Sequence, residues 1–96
     1  MSLTNQQKRY LRGLTHNLAP VVTVAEKGLS ENVMAEIEQA LDHHELIKVK
    51  LRGDRDQRHQ WSERIARDVR AELVHRIGQV ACYYRPDTRK PRIALP

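Results

Sequence analysis

The chain has 96 residues, a formal net charge of +5 and an isoelectric point near 9.8. That length holds one domain with a core of its own and leaves no room for a second. The single cysteine, Cys82, excludes an internal disulfide, no run of apolar residues reaches membrane-spanning length, and the opening MSLTNQQKRYLRG lacks the apolar centre of a signal peptide. A cytoplasmic monomer with no membrane partner is expected.

Thr4 and Gln7 stand at capping-box spacing, and Tyr10, Leu11, Leu14 and Leu18 then fall on one side of a helix predicted from about Thr4 to His16. Lys8, Arg9, Arg12 and His16 fall on another side. Pro20 stops the helix, and Val21 to Val24 form a short β-branched strand. The loop Ala25-Glu26-Lys27-Gly28 follows. Ser30 is a good N-cap for a second helix, whose apolar stripe is Val33, Met34, Ile37, Ala40 and Leu41. Its other flank, Glu31, Glu36, Glu38, Asp42 and Glu45, is acidic and would repel phosphate.

The next segment alternates, with Ile47, Val49 and Leu51 on one face and Lys48, Lys50 and Arg52 on the other, which describes a half-buried strand. Asp54 or Asp56 caps a third helix with Trp61, Ile65 and Val69 on its apolar side, and Trp61 is expected in the core. Leu73 to Ile77 and Val80 to Tyr84 form a hairpin turning at Gly78-Gln79. The basic, proline-interrupted stretch Arg85 to Arg92 leads to Ile93-Ala94-Leu95, a candidate edge strand. The order α-β-α-β-α-β-β predicts an α/β (α+β) two-layer sandwich with a mixed four-stranded sheet and helices mainly on one side.

Charge is uneven along the chain. Residues 1–48 carry 5 Lys/Arg against 6 Asp/Glu, and residues 49–96 carry 12 against 6, so the halves stand at −1 and +6. An excess placed this way suits a face that meets a polyanion, nucleic acid foremost. The Lys27-Gly28 turn, feeding a helix N-terminus, is the first candidate contact because unpaired backbone N–H groups and an ammonium lie close together there. The alternative is an ordinary strand-to-helix turn with a solvated lysine.

The remaining cations divide by their partners. Lys8, Arg9 and Arg12 have no acid at helical spacing, and Arg85, Arg89, Lys90 and Arg92 have only Asp87 nearby, so both groups are candidates for phosphate contact. Lys48, Lys50 and Arg52 serve equally well as a cationic ladder or as the solvated side of a strand. Arg64, Arg67 and Arg70 lie away from the apolar stripe of the third helix and read as a salt-bridged face, with Glu63 four residues before Arg67 and Asp68 four after Arg64. Of Tyr83 and Tyr84, which point to opposite faces, one can stack on a base while the other packs. His44 falls on the apolar stripe and is expected to pack at a helix end. The histidines show no metal spacing and Cys82 has no catalytic companion, so no metal, cofactor or catalytic residue is expected.

The segments QKRYLRGLTHNLAPVV, KGLSENVMAEIEQAL, HHELIKVKL and IGQVACYYRP, in this order and spacing, closely resemble the YhbY-type CRM domain, the chloroplast RNA splicing and ribosome maturation family, in its stand-alone bacterial form. The resemblance covers nearly the whole chain. It implies a fold similar to the C-terminal domain of translation initiation factor 3, and RNA binding without catalysis. It further implies a role as a ribosome assembly factor on precursors of large-subunit ribosomal RNA. The family's Gly-x-x-Gly loop, comparable to the phosphate-clamping loop of KH domains, maps onto Ala25 to Gly28. Here Gly28 is kept and Ala25 replaces the first glycine, while Glu26 brings a negative charge that Lys27 partly offsets. The competing reading is a protein-interaction module that docks on a ribosomal protein through the acidic flank of the second helix.

Overall fold

The computed structural model describes residues 2–96 and contains three helices and four strands: α1 (Asn5–Thr15), β1 (Val22–Val24), α2 (Glu31–His44), β2 (Leu46–Leu51), α3 (Arg55–Asp68), β3 (Glu72–Ile77) and β4 (Val80–Tyr84). All three helices start where a side chain can satisfy free backbone N–H groups. Thr4 and Gln7 close a capping box on α1, Asp54 and Gln57 close one on α3, and Ser30 Oγ accepts from Val33 N at 3.2 Å on α2.

The sheet order is β1-β2-β4-β3, with β1 and β2 parallel and the other two pairs antiparallel. Parallel pairing of β1 and β2 requires a crossover, which α2 supplies. One core lies between the sheet and α2 with α3, and contains Val22, Val24, Ile37, Leu41, Val49 and Ile65. A second lies on the opposite face and joins Leu11 of α1 to Leu46, Val74, Cys82 and Tyr84, with Leu14, Leu18, Ile93 and Leu95 packed against it.

The element order, the mixed sheet and the α+β class are as expected. The layering is fuller than a two-layer sandwich, because α1 and the C-terminal segment cover the second face. The cause lies in β4, where Val80, Cys82 and Tyr84 make the second face as apolar as the first, so both need a cover. Tyr83 and Tyr84 are therefore both buried, at 0% and 3% exposure, and neither is free to stack on a base. Burial pushes the Tyr83 phenol far above its ordinary pKa of 10, and its hydroxyl donates to Ser62 O at 3.0 Å.

Ile93-Ala94-Leu95 forms no strand. Pro91 and Pro96 flank it, and the Ile93 N–H donates to the Glu45 carboxylate instead of to a sheet edge. Glu45 itself is fully buried, with φ 54° at the end of α2. Its Oε2 accepts from Asp87 N at 2.7 Å, and its Oε1 accepts from Arg92 N at 2.7 Å and Ile93 N at 3.0 Å. A carboxylate that accepts three backbone N–H groups in a desolvated site is the anchor of the C-terminal segment. His44, just before it, is exposed rather than packed at the helix end.

Two outcomes follow. Glu45→Ala leaves three amides without an acceptor and should cost about 3 kcal/mol or more in chemical denaturation, with faster hydrogen exchange at Asp87, Arg92 and Ile93. Tyr83 stays neutral in the native state while an exposed tyrosine ionises near pH 10, so its contribution to stability is complete below about pH 10 and is lost as pH rises above it. Midpoints measured from pH 9 to 11 should fall for the wild type and fall less for Tyr83→Phe.

Candidate nucleic-acid interface

Because β1 and β2 run parallel, their C-terminal ends open at the same edge of the domain, and the loops leading into α2 and α3 lie side by side. The pairing persists past the strands, with Arg52 N donating to Val24 O at 2.7 Å. The two helices thus present their N-termini, with the positive ends of their dipoles, at one end of the molecule.

The first loop is a tight turn closed by Gly28 N donating to Ala25 O at 2.8 Å. Gly28 adopts φ +63°, the left-handed conformation that favours glycine. Ala25 does not: among the described residues the only non-glycine positions with positive φ are Glu45 and Arg70. The lost first glycine therefore leaves this turn unstrained. Among the described residues, the N–H groups of Glu26, Lys27 and Leu29 find no acceptor within the protein, and Lys27 is exposed beside them.

The half-buried Trp61 of α3 supports both loops. A side chain at Gly28 would lie 3.6 Å from Trp61 Nε1, an ordinary contact, whereas one at Gly53 would lie 2.7 Å from Trp61 Cζ3, closer than atoms tolerate. The indole is wedged under the two turns and fixes their separation. Arg58 ties the second turn to α3, its Nη1 donating to Gly53 O at 2.8 Å.

The candidate contact residues fall into four groups. Lys27, Gly28 and Arg52 lie at the loop end, Lys27 and Arg52 exposed. Lys48 and Lys50 pair in register with Cys82 and Val80, which places them on the α1 side of the sheet, half-buried. On α1, Lys8 is half-buried and Arg9 exposed, while Arg12 Nε donates to Val74 O at 3.0 Å and so braces the helix against β3.

The C-terminal group is divided by its contacts. Arg85, with 21% of its side chain exposed, pairs with Glu38 at 2.9 Å and Asp42 at 2.8 Å and also donates to Val69 O. It offsets part of the acidic flank of α2 from within the fold, which separates it from the surface cations. Arg92 donates to Asp42 O and lies 3.8 Å from Asp87. Arg89 and Lys90 are exposed and carry no ion pair, although their N–H groups donate to Asp87, whose carboxylate they hold below its ordinary range. Arg64 reaches Asp68 at 3.3 Å as expected, whereas Arg67 reaches Asp68 at 3.4 Å instead of Glu63, and Arg70, past the end of α3 with φ 55°, forms no ion pair among the described residues.

Three further cations lie near the loop end: Arg55 and Arg58 at the start of α3, and Arg76 on β3. A signal for the first two was present in the sequence. Arginines in the opening turns of a helix oppose its dipole, which is unfavourable unless an anion binds there. Arg76 needed the register of β3 to be placed. Among the described residues, no three His, Cys, Asp or Glu side chains gather as metal ligands, and no helix is long and apolar enough to cross a membrane.

The fold and this cationic edge are those of a small α+β domain of a known type. The CRS1 / YhbY (CRM) domain matches residues 3–85, and the chain belongs to that family. It is 46% identical to an RNA-binding protein of Haemophilus influenzae, over 99% of this chain and 96% of that one. It is 34% identical to the protein named "Probable RNA-binding protein YqeI" of Bacillus subtilis, over 98% and 99%. The solution structure of protein SAV1595 from Staphylococcus aureus superposes with a TM-score of 0.84 at 36% identity, covering 99% of this chain and all of that one.

The two turn glycines should fail differently when changed. Gly53→Ala forces Trp61 aside and should cost about 1–3 kcal/mol with a shift in tryptophan fluorescence. Gly28→Ala has the space but not the conformation, and should cost about 1 kcal/mol with the emission nearly unchanged.

Proposed function

We propose that the protein binds RNA through the loop end of the β1–β2 edge, without catalysis, and that its target is a precursor of large-subunit ribosomal RNA bound during ribosome assembly. The observation that carries this reading is the Lys27-Gly28 turn at the N-terminus of α2, where unpaired N–H groups, an ammonium and a helix dipole converge. Such a site accepts phosphate in the manner of a KH loop, contacting backbone rather than base edges. The names of the relatives support RNA as the ligand, and the family resemblance supports the ribosomal precursor.

Arg52 extends the cationic surface from the neighbouring turn, and Arg9, Arg89 and Lys90 are exposed cations that other parts of a folded RNA can reach. Lys48 and Lys50 are half-buried beside α1 and contribute field more than contact. The acidic flank of α2 as a protein-docking surface loses support, since Arg85 already engages Glu38 and Asp42.

Binding should be electrostatic. A log–log plot of affinity for structured ribosomal RNA against salt should fall steeply, and Lys27→Ala should lower its slope by about one, with Lys27→Glu weakening binding further. Crosslinking in cells followed by sequencing of the bound RNA should enrich large-subunit precursor over mature ribosomal RNA. Salt-insensitive binding, or none, overturns the RNA reading. Enrichment of some other RNA overturns only the ribosomal part.

A further inference from the structure

Between the first turns of α3 and the β3–β4 hairpin lies a cleft of about 410 Å³ lined by Arg55, Asp56, Arg58, His59, Arg76 and Gly78. Three arginines line one cleft and, among the described residues, none of them forms a salt bridge, whereas Arg64, Arg67, Arg85 and Arg92 all do. Like charges gathered without a counter-ion are unfavourable, and a helix dipole of the same sign adds to the cost at Arg55. Asp56, the one acid in the lining, is exposed and pairs with none of them.

Two of the three arginines are nevertheless held in place. Arg58 is fixed by Gly53 O, and Arg76 Nη1 donates to the buried Ser62 Oγ at 2.8 Å and to His59 Nδ1 at 2.9 Å. A guanidinium can only donate, so His59 Nδ1 is the acceptor in this contact. Each arginine keeps other N–H groups unpaired. Guanidinium groups that are positioned, unneutralised and close together suit the oxygens of a phosphodiester.

From these observations we infer that this cleft is a second phosphate subsite, which holds the RNA backbone as it continues from the Lys27-Gly28 turn past Trp61 and along the opening of α3. The inference rests on the proposed RNA binding and adds a path to it: Arg58 bonds the second turn at Gly53, and Trp61 packs against both Gly53 and Gly28, so the cleft adjoins the first loop by way of the second turn. The RNA then bends around the loop end of the domain instead of lying along the acidic flank of α2.

The test compares Arg58→Gln, Arg76→Gln and Arg64→Gln with the wild type in RNA affinity across a salt series, with circular dichroism confirming that each is folded. The first two should weaken binding roughly tenfold at low salt and lower the salt slope by about one each, while Arg64→Gln, outside the cleft, changes little. In the wild type, titration with an RNA oligonucleotide should move the NMR signals of the His59 ring and the Arg76 and Arg58 Nε–H groups. That measurement decides the matter even where a variant fails to fold. If Lys27→Glu weakens binding while the cleft variants do not, or if all three arginine variants weaken it alike, the subsite is overturned and the RNA reading stands. Signals that respond to inorganic phosphate but not to RNA overturn it as part of an RNA path. Absence of RNA binding by the wild type overturns both.

Discussion

The parallel pairing of β1 with β2 is the constraint from which the rest of the molecule follows. Antiparallel neighbours would have put successive turns at opposite ends of the sheet, and the crossover through α2 puts them at the same end. Two helix N-termini and two turns are then side by side, and their separation has to be set by something between them. Trp61 does this from α3, with room for Gly28 at ordinary contact distance and for nothing larger than glycine at position 53. The site is therefore a consequence of topology, tuned by one aromatic ring.

A second layer of organisation is the sorting of arginines. Arg64 and Arg67 share Asp68, which leaves one positive charge there, and Arg85 between Glu38 and Asp42 leaves one negative charge, so pairing reduces the external field of both groups. Most cations without an ion pair among the described residues lie around the loop end, on α1 and in the C-terminal stretch, with Lys48 and Lys50 on β2 and Arg70 after α3 as the others. A net charge of +5 understates the contrast, because internal pairing removes cations from one part of the surface and leaves them concentrated in another.

Much of this was legible in the sequence. Three capping residues, Thr4, Ser30 and Asp54, mark helix starts in the chain and in the structure alike, and the alternation in β2 identifies its buried face, because caps and pleats are local rules. What local rules do not carry is the pairing of distant groups. Arg85 looks like a free cation until α2 and β4 are set side by side. Glu45 looks like one more acid on a helix flank until the chain returns 42 to 48 residues later to donate three amides to it. The second apolar face of the sheet was written in Val80, Cys82 and Tyr84, but only the position of α1 shows what covers it.

The turn from Ala25 to Gly28 shows where a glycine is required and where alanine serves as well. A glycine is irreplaceable where φ is positive or where a neighbour approaches too closely for a Cβ. In the turn from Ala25 to Gly28 only the last position is left-handed, and Ala25 accepts the closing hydrogen bond through its carbonyl, a group every residue has. The substitution therefore alters the surface of the turn and not its path. What does change is the electrostatics, since Glu26 sits beside Lys27. A turn weakened in this way needs cations from its neighbours, and the neighbouring turn supplies Arg52 with Arg55 and Arg58 directly after it. Positive charge at this edge is then shared between two loops rather than concentrated in one.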